Sequence, residues 1–169
     1  MCPMHADELR AIQAPLKDRY REEPDAAVVT LSAAASLGEG VSCSVQTGRA
    51  IAVAGLHPAS GGDGSQLCSG DMLLEALAAC AGVTMRAVAT SLEIPVEGTV
   101  TAEGDLDFRG TLGVDRDAPV GFRAIRLSFA LDTDAEPDRV AKLIELTERY
   151  CVVLQTIAGS PEITVAQDG

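Results

Sequence analysis

The sequence has no tryptophan, and only two Tyr and three Phe stand among its 169 residues. Aromatic anchors are therefore scarce, and Ala, Val and Leu must fill the core of a chain that is still 47% hydrophobic. Such small side chains each bury little area, so a chain of this kind gains from burying more surface in an oligomer. Positive charge is scarce too: 13 Lys and Arg against 25 Asp and Glu leave a net charge of −12. No Lys/Arg cluster interrupts that surface, which excludes a nucleic-acid partner. The longest apolar stretch carries Glu75 and Arg86, a poor composition for a membrane span, so no membrane association is expected. The opening "MCPMHADELR" lacks a basic segment followed by an apolar run, and a cytoplasmic setting is expected.

Five cysteines are present, Cys2, Cys43, Cys68, Cys80 and Cys151. An odd, widely spaced set without a secretion signal is not a disulfide scaffold; it predicts free thiols whose pairing is transient and chemical. Cys2 and His5 form a C-x-x-H, but no second pair completes a zinc site. The loop "HPASGGDGSQLCSGD" matches neither GxxxxGK[ST] nor GxGxxG and lacks a phosphate-binding lysine. Neither a metal nor an organic cofactor is expected.

The length fits one domain with a short extension. Residues 1–24 read as a charged helical extension, with Leu9, Ile12 and Leu16 at helical spacing, and residues 25–169 as the domain. "AAVVTLSAAAS", "GVSCSVQ" and "RAIAVAG" predict three strands of an antiparallel meander, with Cys43 as packing and Gly48 in the second turn. A loop follows, in which His57 is either a plain loop residue or a contact of a thiol site. A long helix then runs from about Asp71 to Ser91, with Ser69 as its expected N-cap. "TVTAEGDLDFRG" and "FRAIRLSFALD" alternate through Val100, Ala102, Leu106 and Phe108 and through Ile125, Leu127, Phe129 and Leu131, as half-buried strands do. "EPDRVAKLIELTERY" predicts a second helix with Pro137 in its first turn and Val140, Leu143, Ile144 and Thr147 on its apolar face. A short helix from "CVVLQTI" and a closing strand from "EITVA" complete the chain. Strands and helices in blocks indicate an α+β fold.

On a helical wheel, Leu73, Ala76, Leu77, Val83, Thr84, Ala87 and Ser91 share the face of Cys80. Asp71, Glu75, Gly82 and Arg86 fall opposite, where Glu75 and Arg86 face solvent or neighbouring elements. Cys80 is thus expected to face packing, against the sheet or a partner helix. A buried thiol behaves as a small hydrophobe and is a poor nucleophile unless a cation lowers its pKa, and arginine suits that role. Cys151 adds the other possibility. It follows one helix and starts another, a position that favours thiolate, so the two cysteines also read as a reactive thiol and its resolving partner. Cys68, just ahead of the long helix, reads either as a further reactive or resolving thiol or as a loop residue.

"SGDMLLEALAAC", ending at Cys80, and "ERYCVV", containing Cys151, resemble the OsmC/Ohr superfamily, the osmotically inducible and organic hydroperoxide resistance proteins. Its members carry a long helix with a pattern like P-x-E-L-L-L-x-A-L-x-x-C and a late Y-C-P helix start. The element order matches from about Ala27 to Ala166. The resemblance implies an OsmC-like α+β fold, with antiparallel sheets wrapped around long central helices in an intertwined homodimer. It also implies a thiol peroxidase acting on small hydrophobic peroxides, with Cys80 attacking, Cys151 closing a disulfide and an external dithiol reducing it.

The chain departs from the pattern at several positions. Ser69 stands where the family helix usually has proline, Gly70 stands at the glutamate of the hydroperoxide resistance enzymes with Asp71 one residue later, and Val152 replaces the proline after the second cysteine. For the arginine that pairs with the glutamate, Arg49 is the first candidate, ahead of Arg19 and Arg21. Asp71 lies about 14 Å from Cys80 along the helix at roughly 1.5 Å per residue, so an acid at this position would act on the thiol of a partner subunit. The rival reading is a non-catalytic dimer that holds a small hydrophobic ligand in its interface pocket.

Overall fold

Alternation in the sequence becomes one antiparallel sheet in the computed structural model, which describes residues 6–37, 43–45 and 54–167. Helix α1 (Ala6–Glu22) leads through a short 3-10 turn into β1 (Val28–Leu37), followed by β2 (Cys43–Val45) and β3 (Ala54–Gly55). After a second 3-10 turn come β4 (Leu67–Cys68), the long α2 (Ser69–Ser91), β5 (Glu97–Asp107) and the four-residue α3 (Phe108–Thr111). Strand β6 (Phe122–Asp132), α4 (Pro137–Tyr150) and α5 (Val152–Gly159) end the sequence of elements. The sheet order is β2-β1-β5-β6, antiparallel throughout.

Several boundaries differ from expectation. Of the third expected strand, Ala54–Gly55 is described, and it pairs in parallel with β4 rather than extending a meander. Strand β5 ends at Asp107, because that side chain caps the Arg109 N–H at 3.1 Å and starts α3, so Phe108 is helical. "EITVA" forms no strand: Ile163 and Val165 are 81% and 91% exposed.

Helix α2 lies on the sheet and buries Leu74, Leu77, Ala78, Ala81, Met85 and Ala89 against Val100 and Ala102 of β5 and Leu143 of α4. It is long and apolar enough to cross a membrane, but here its apolar length forms the centre of a protein core. Gly104 of β5 matters at this contact. A Cβ there would stand 2.5 Å from the Phe122 ring and 3.3 Å from Leu74, so only glycine lets the ring close over the strand.

Helix α1 docks through a smaller core of Tyr20, Ala27, Phe108 and Leu112. The Tyr20 hydroxyl donates to the Ala59 carbonyl at 2.7 Å, tying the helix to the turn ahead of α2.

Candidate functional site

Within one chain, the face that α2 buries against the sheet and α4 lies to one side of Cys80. Leu74, Ala78, Ala81 and Met85 centre about 130° around the helix from Cys80 at ~100° per residue. Gly82, expected opposite the packing, is buried, whereas Leu73, Ala76, Val83 and Ala87 beside Cys80 are exposed. Cys80 therefore sits at the margin of the core, half-buried. In a helix so uniformly apolar, periodicity does not mark one face strongly enough to decide.

Cys151 reaches Cys80 from a helix break. Helix α4 ends when Cys151 turns extended (φ −71°, ψ 104°), and α5 starts at once with Val152. The Cys151 N–H donates to the Thr147 carbonyl and its own carbonyl accepts from Gln155, both at 2.9 Å, so the residue closes one helix and opens the next. Its side chain is fully buried in the α2 core.

The two thiols affect each other's ionisation, Cys151 acting on Cys80 as a donor. Burial opposes ionisation of Cys80. The Val153 N–H, the Cys151 thiol, the Thr84 hydroxyl and the Val152 N–H all point at its sulfur, and together they outweigh burial and hold the thiol below its ordinary range. The two amides are first-turn N–H groups of α5, which have no carbonyl partner inside their own helix. Cys151 moves the other way, pushed up to about 11 chiefly by burial and further by the Cys80 thiolate, with the Leu154 and Val153 N–H groups offsetting only part. One sulfur of the pair is thus prepared as thiolate and the other kept as thiol.

The cation expected beside Cys80 is not among these groups. Among the described residues, no guanidinium contributes to its shift, and Arg49 lies outside the described residues, as do Cys2, His5 and Gly48. Cys43 stands opposite Leu37 in the sheet register, and its side chain lies outside the description. Arg19 and Arg21 sit on α1 and pair with Glu23 and Asp18. Arg86 donates to the Val96 carbonyl at 2.7 Å and pairs with Glu97, anchoring α2 to the start of β5.

Asp71, in the first turn of α2, is not grouped with Cys80 of its own chain. Burial raises its pKa and the nearby His57 charge lowers it. Glu75, one turn on, is also raised, by burial and then by Asp71. The N-cap of α2 is Cys68 rather than Ser69, its sulfur accepting from the Gly70 N–H at 3.4 Å. Cys68 and His57 line a common cavity of about 350 Å³ between the start of α2 and the end of β5. His57 therefore shares its cavity with Cys68 rather than with Cys80. Sequence reasoning missed this grouping, and also Thr84 as a donor, although its i+4 spacing from Cys80 could have disclosed the latter. No cluster of three His, Cys, Asp or Glu side chains among the described residues is arranged to hold a metal ion.

Residues 62–166 match the family described as OsmC-like protein. The fold is similar to that of an OsmC-like hydroperoxide resistance protein from Jannaschia sp. CCS1, with a TM-score of 0.53 over 82% of this chain and 91% of that one. At 15% identity, that likeness speaks for the fold. No curated protein sequence matches the chain. With the family pattern spanning the glycine-rich loop, α2, strands β5 and β6 and the Cys151 helix break, the chain belongs to the OsmC-like protein family.

Proposed function

We propose that this protein reduces organic hydroperoxides with Cys80 as the attacking thiolate and Cys151 as the resolving thiol. The observation that carries the reading is the opposed preparation of two adjacent sulfurs: Cys80 lowered and partly accessible, Cys151 raised and fully buried. The resemblance of the fold to a hydroperoxide resistance protein supports the same direction.

The Cys80 thiolate attacks the distal peroxide oxygen, an S–O bond forms as the O–O bond breaks, and the departing alkoxide takes a proton to leave as alcohol. Cys80 is then a sulfenic acid. The Cys151 sulfur, deprotonated as it attacks, forms an S–S bond with Cys80 and releases the sulfenic oxygen as water. An external dithiol supplies the two electrons that reopen the disulfide. The chemistry calls on no metal or organic cofactor. The α5 amides favour negative charge on Cys80 and keep it beside its partner, so the resolving step needs no large movement.

A homodimer belongs to this reading. Leu73 and Val83 leave an apolar strip exposed on the Cys80 side of α2, where a second copy of the helix would cover it in an intertwined pair and bring the partner subunit's Asp71 toward the thiols. A reducing, cytoplasmic setting fits the thiol cycle. The test is incubation of the reduced protein with cumene hydroperoxide. Loss of one peroxide with two thiols per cycle is the expected result, and unchanged peroxide with unchanged thiol count rules the proposal out.

The exposed strip favours a second reading, a non-catalytic dimer that holds a small hydrophobic ligand in its interface pocket. Native mass spectrometry of gently purified protein then shows a bound species that survives Cys80→Ser. Loss of the species in that variant counts against it.

A further inference from the structure

When the O–O bond of a hydroperoxide breaks, the departing alkoxide is a strong base and must gain a proton. Four groups donate to the Cys80 sulfur, and they differ in what they can give. The Val152 and Val153 peptide N–H groups offer a hydrogen bond but no proton. The Cys151 thiol is fully buried and pushed up to about 11, and its sulfur is needed for the disulfide that follows. The Thr84 hydroxyl is a donor and an acceptor at once, so it can pass one proton on while it takes up another. Thr84 follows Cys80 by one turn of α2, which makes the two side chains neighbours on the helix surface. It is half-buried, with Val83 and Ala87 beside it exposed, so its hydroxyl stands at the open margin of the core. Two other helix threonines, Thr90 and Thr147, turn their hydroxyls back to the Arg86 and Leu143 carbonyls, each at 2.8 Å, the local bond that helical threonine commonly makes. Thr84 has the same spacing from Cys80 and offers its hydroxyl to the sulfur.

We propose that Thr84 is a further catalytic residue of peroxide reduction, the group that hands a proton to the departing oxygen. The inference rests on the peroxidase reading and adds a role within it. In the resting site the Thr84 hydroxyl donates to the Cys80 thiolate. A hydroperoxide brings its distal oxygen to the sulfur, and its proximal oxygen takes over the hydrogen bond from Thr84. The S–O bond forms as the O–O bond breaks, and the O–O electron pair leaves with the proximal oxygen. Thr84 Oγ1 releases its proton to that oxygen and takes one from a water molecule. The alcohol departs, and Cys80 keeps the distal oxygen with its hydrogen as sulfenic acid. The sum is thiolate, hydroperoxide and water giving sulfenic acid, alcohol and hydroxide. A positioned donor of this kind helps most where the leaving group is a strong base. Its benefit is therefore confined to alkyl hydroperoxides and absent for leaving groups that are stable as anions.

The test follows single turnovers of Cys80 in the reduced full chain with three reagents. Cumene hydroperoxide expels a strongly basic alkoxide, peracetic acid expels the weak base acetate, and iodoacetamide expels iodide, which takes no proton. Thr84→Val removes the hydroxyl at nearly constant shape. It is expected to slow cumene hydroperoxide about tenfold to a hundredfold more than the other two reagents, the scale of one hydrogen bond to a charged group. Thr84→Ala, which asks less of the packing, should show the same selective loss, and Thr84→Ser, which keeps a hydroxyl, should restore most of the rate. Equal slowing of all three reagents, an unchanged hydroperoxide rate, or a Thr84→Ser variant as slow as Thr84→Val overturns the proposal. In each of those cases the unsubstituted protein still consumes peroxide, and the peroxidase reading stands. An unsubstituted protein that leaves cumene hydroperoxide intact ends both.

Discussion

Halfway along α2, Cys80 meets four hydrogen-bond donors, another sulfur among them; at the start of the same helix, Cys68 meets one amide and open space. The residue type and the helix are shared, and the surroundings are opposite. At Cys80, desolvation works against charge and directed N–H, S–H and O–H groups reverse the outcome. At Cys68 a cavity leaves room for a molecule to approach. The difference shows that a thiol's chemistry in this fold is set less by the helix that carries it than by what the next segment brings up to it: the α5 terminus in one case, the 57–60 turn in the other.

The strongest way to break the comparison is to remove one sulfur of the pair. Cys80→Ser should lower hydroperoxide consumption on the order of a hundredfold or more, since hydroxyl is a far weaker nucleophile at neutral pH. Cys151→Ser should instead permit a single turnover and leave a sulfenic acid on Cys80 that dimedone traps. If both variants retain turnover, the pair is not the reacting centre.

The pH dependence sharpens the same point. Because the Cys80 pKa is lowered, its alkylation rate should reach half its maximum below the pH of about 8.5 typical of a free thiol. In Cys151→Ala the S–H donor is gone, so less of Cys80 is thiolate at neutral pH and the midpoint moves up. The converse variant, Cys80→Ala, removes the neighbouring thiolate and should bring Cys151 down from about 11, with burial keeping it above the ordinary value. A Cys80 midpoint unmoved by Cys151→Ala would show that the thiol–thiol hydrogen bond contributes little.

Val152 offers a finer cut. In the family pattern a proline follows the second cysteine, and proline has no N–H to offer. This chain keeps an amide there, directed at Cys80. Val152→Pro should preserve the α5 start, where proline is tolerated, yet slow Cys80 alkylation at pH 7 by about threefold to tenfold, the scale of one ordinary hydrogen bond of about 0.5–1.5 kcal/mol. An unchanged rate with intact helicity means that the Val153 amide suffices.

The physical signals divide cleanly between what could be read from the sequence and what could not. Strands β5 and β6 announced themselves by alternation, α4 by Pro137 and its apolar spacing, and the two cysteines by their places relative to helices. Two of the four donors that lower Cys80 are backbone amides of a helix terminus, which no side-chain pattern records, and the search for a cation followed from thinking in side chains alone. The buried face of α2 was hidden because alanine, leucine and valine surround the helix on nearly every side. Cys68 as N-cap was masked by Ser69, the better capping residue by type. His57 and Cys68 line one cavity beside the parallel pair of β3 and β4, a pairing that local sequence does not encode.

The smallest effect separates the two regions most directly. Gly104 of β5 makes room for the Phe122 ring, which walls the Cys68 cavity, and it also lies near Leu74 in the core. Gly104→Ala places a methyl group within 2.5 Å of that ring, so the ring must shift. Overpacking of this kind costs about 1–3 kcal/mol, a loss that thermal unfolding would register. The cavity changes shape while the α5 amides and both sulfurs of the pair keep their contacts. Iodoacetamide labelling of Cys68 should therefore change in rate while the pH midpoint of Cys80 alkylation stays where it was. If both reactivities move together, the core transmits strain along α2 and the two thiol environments are not independent.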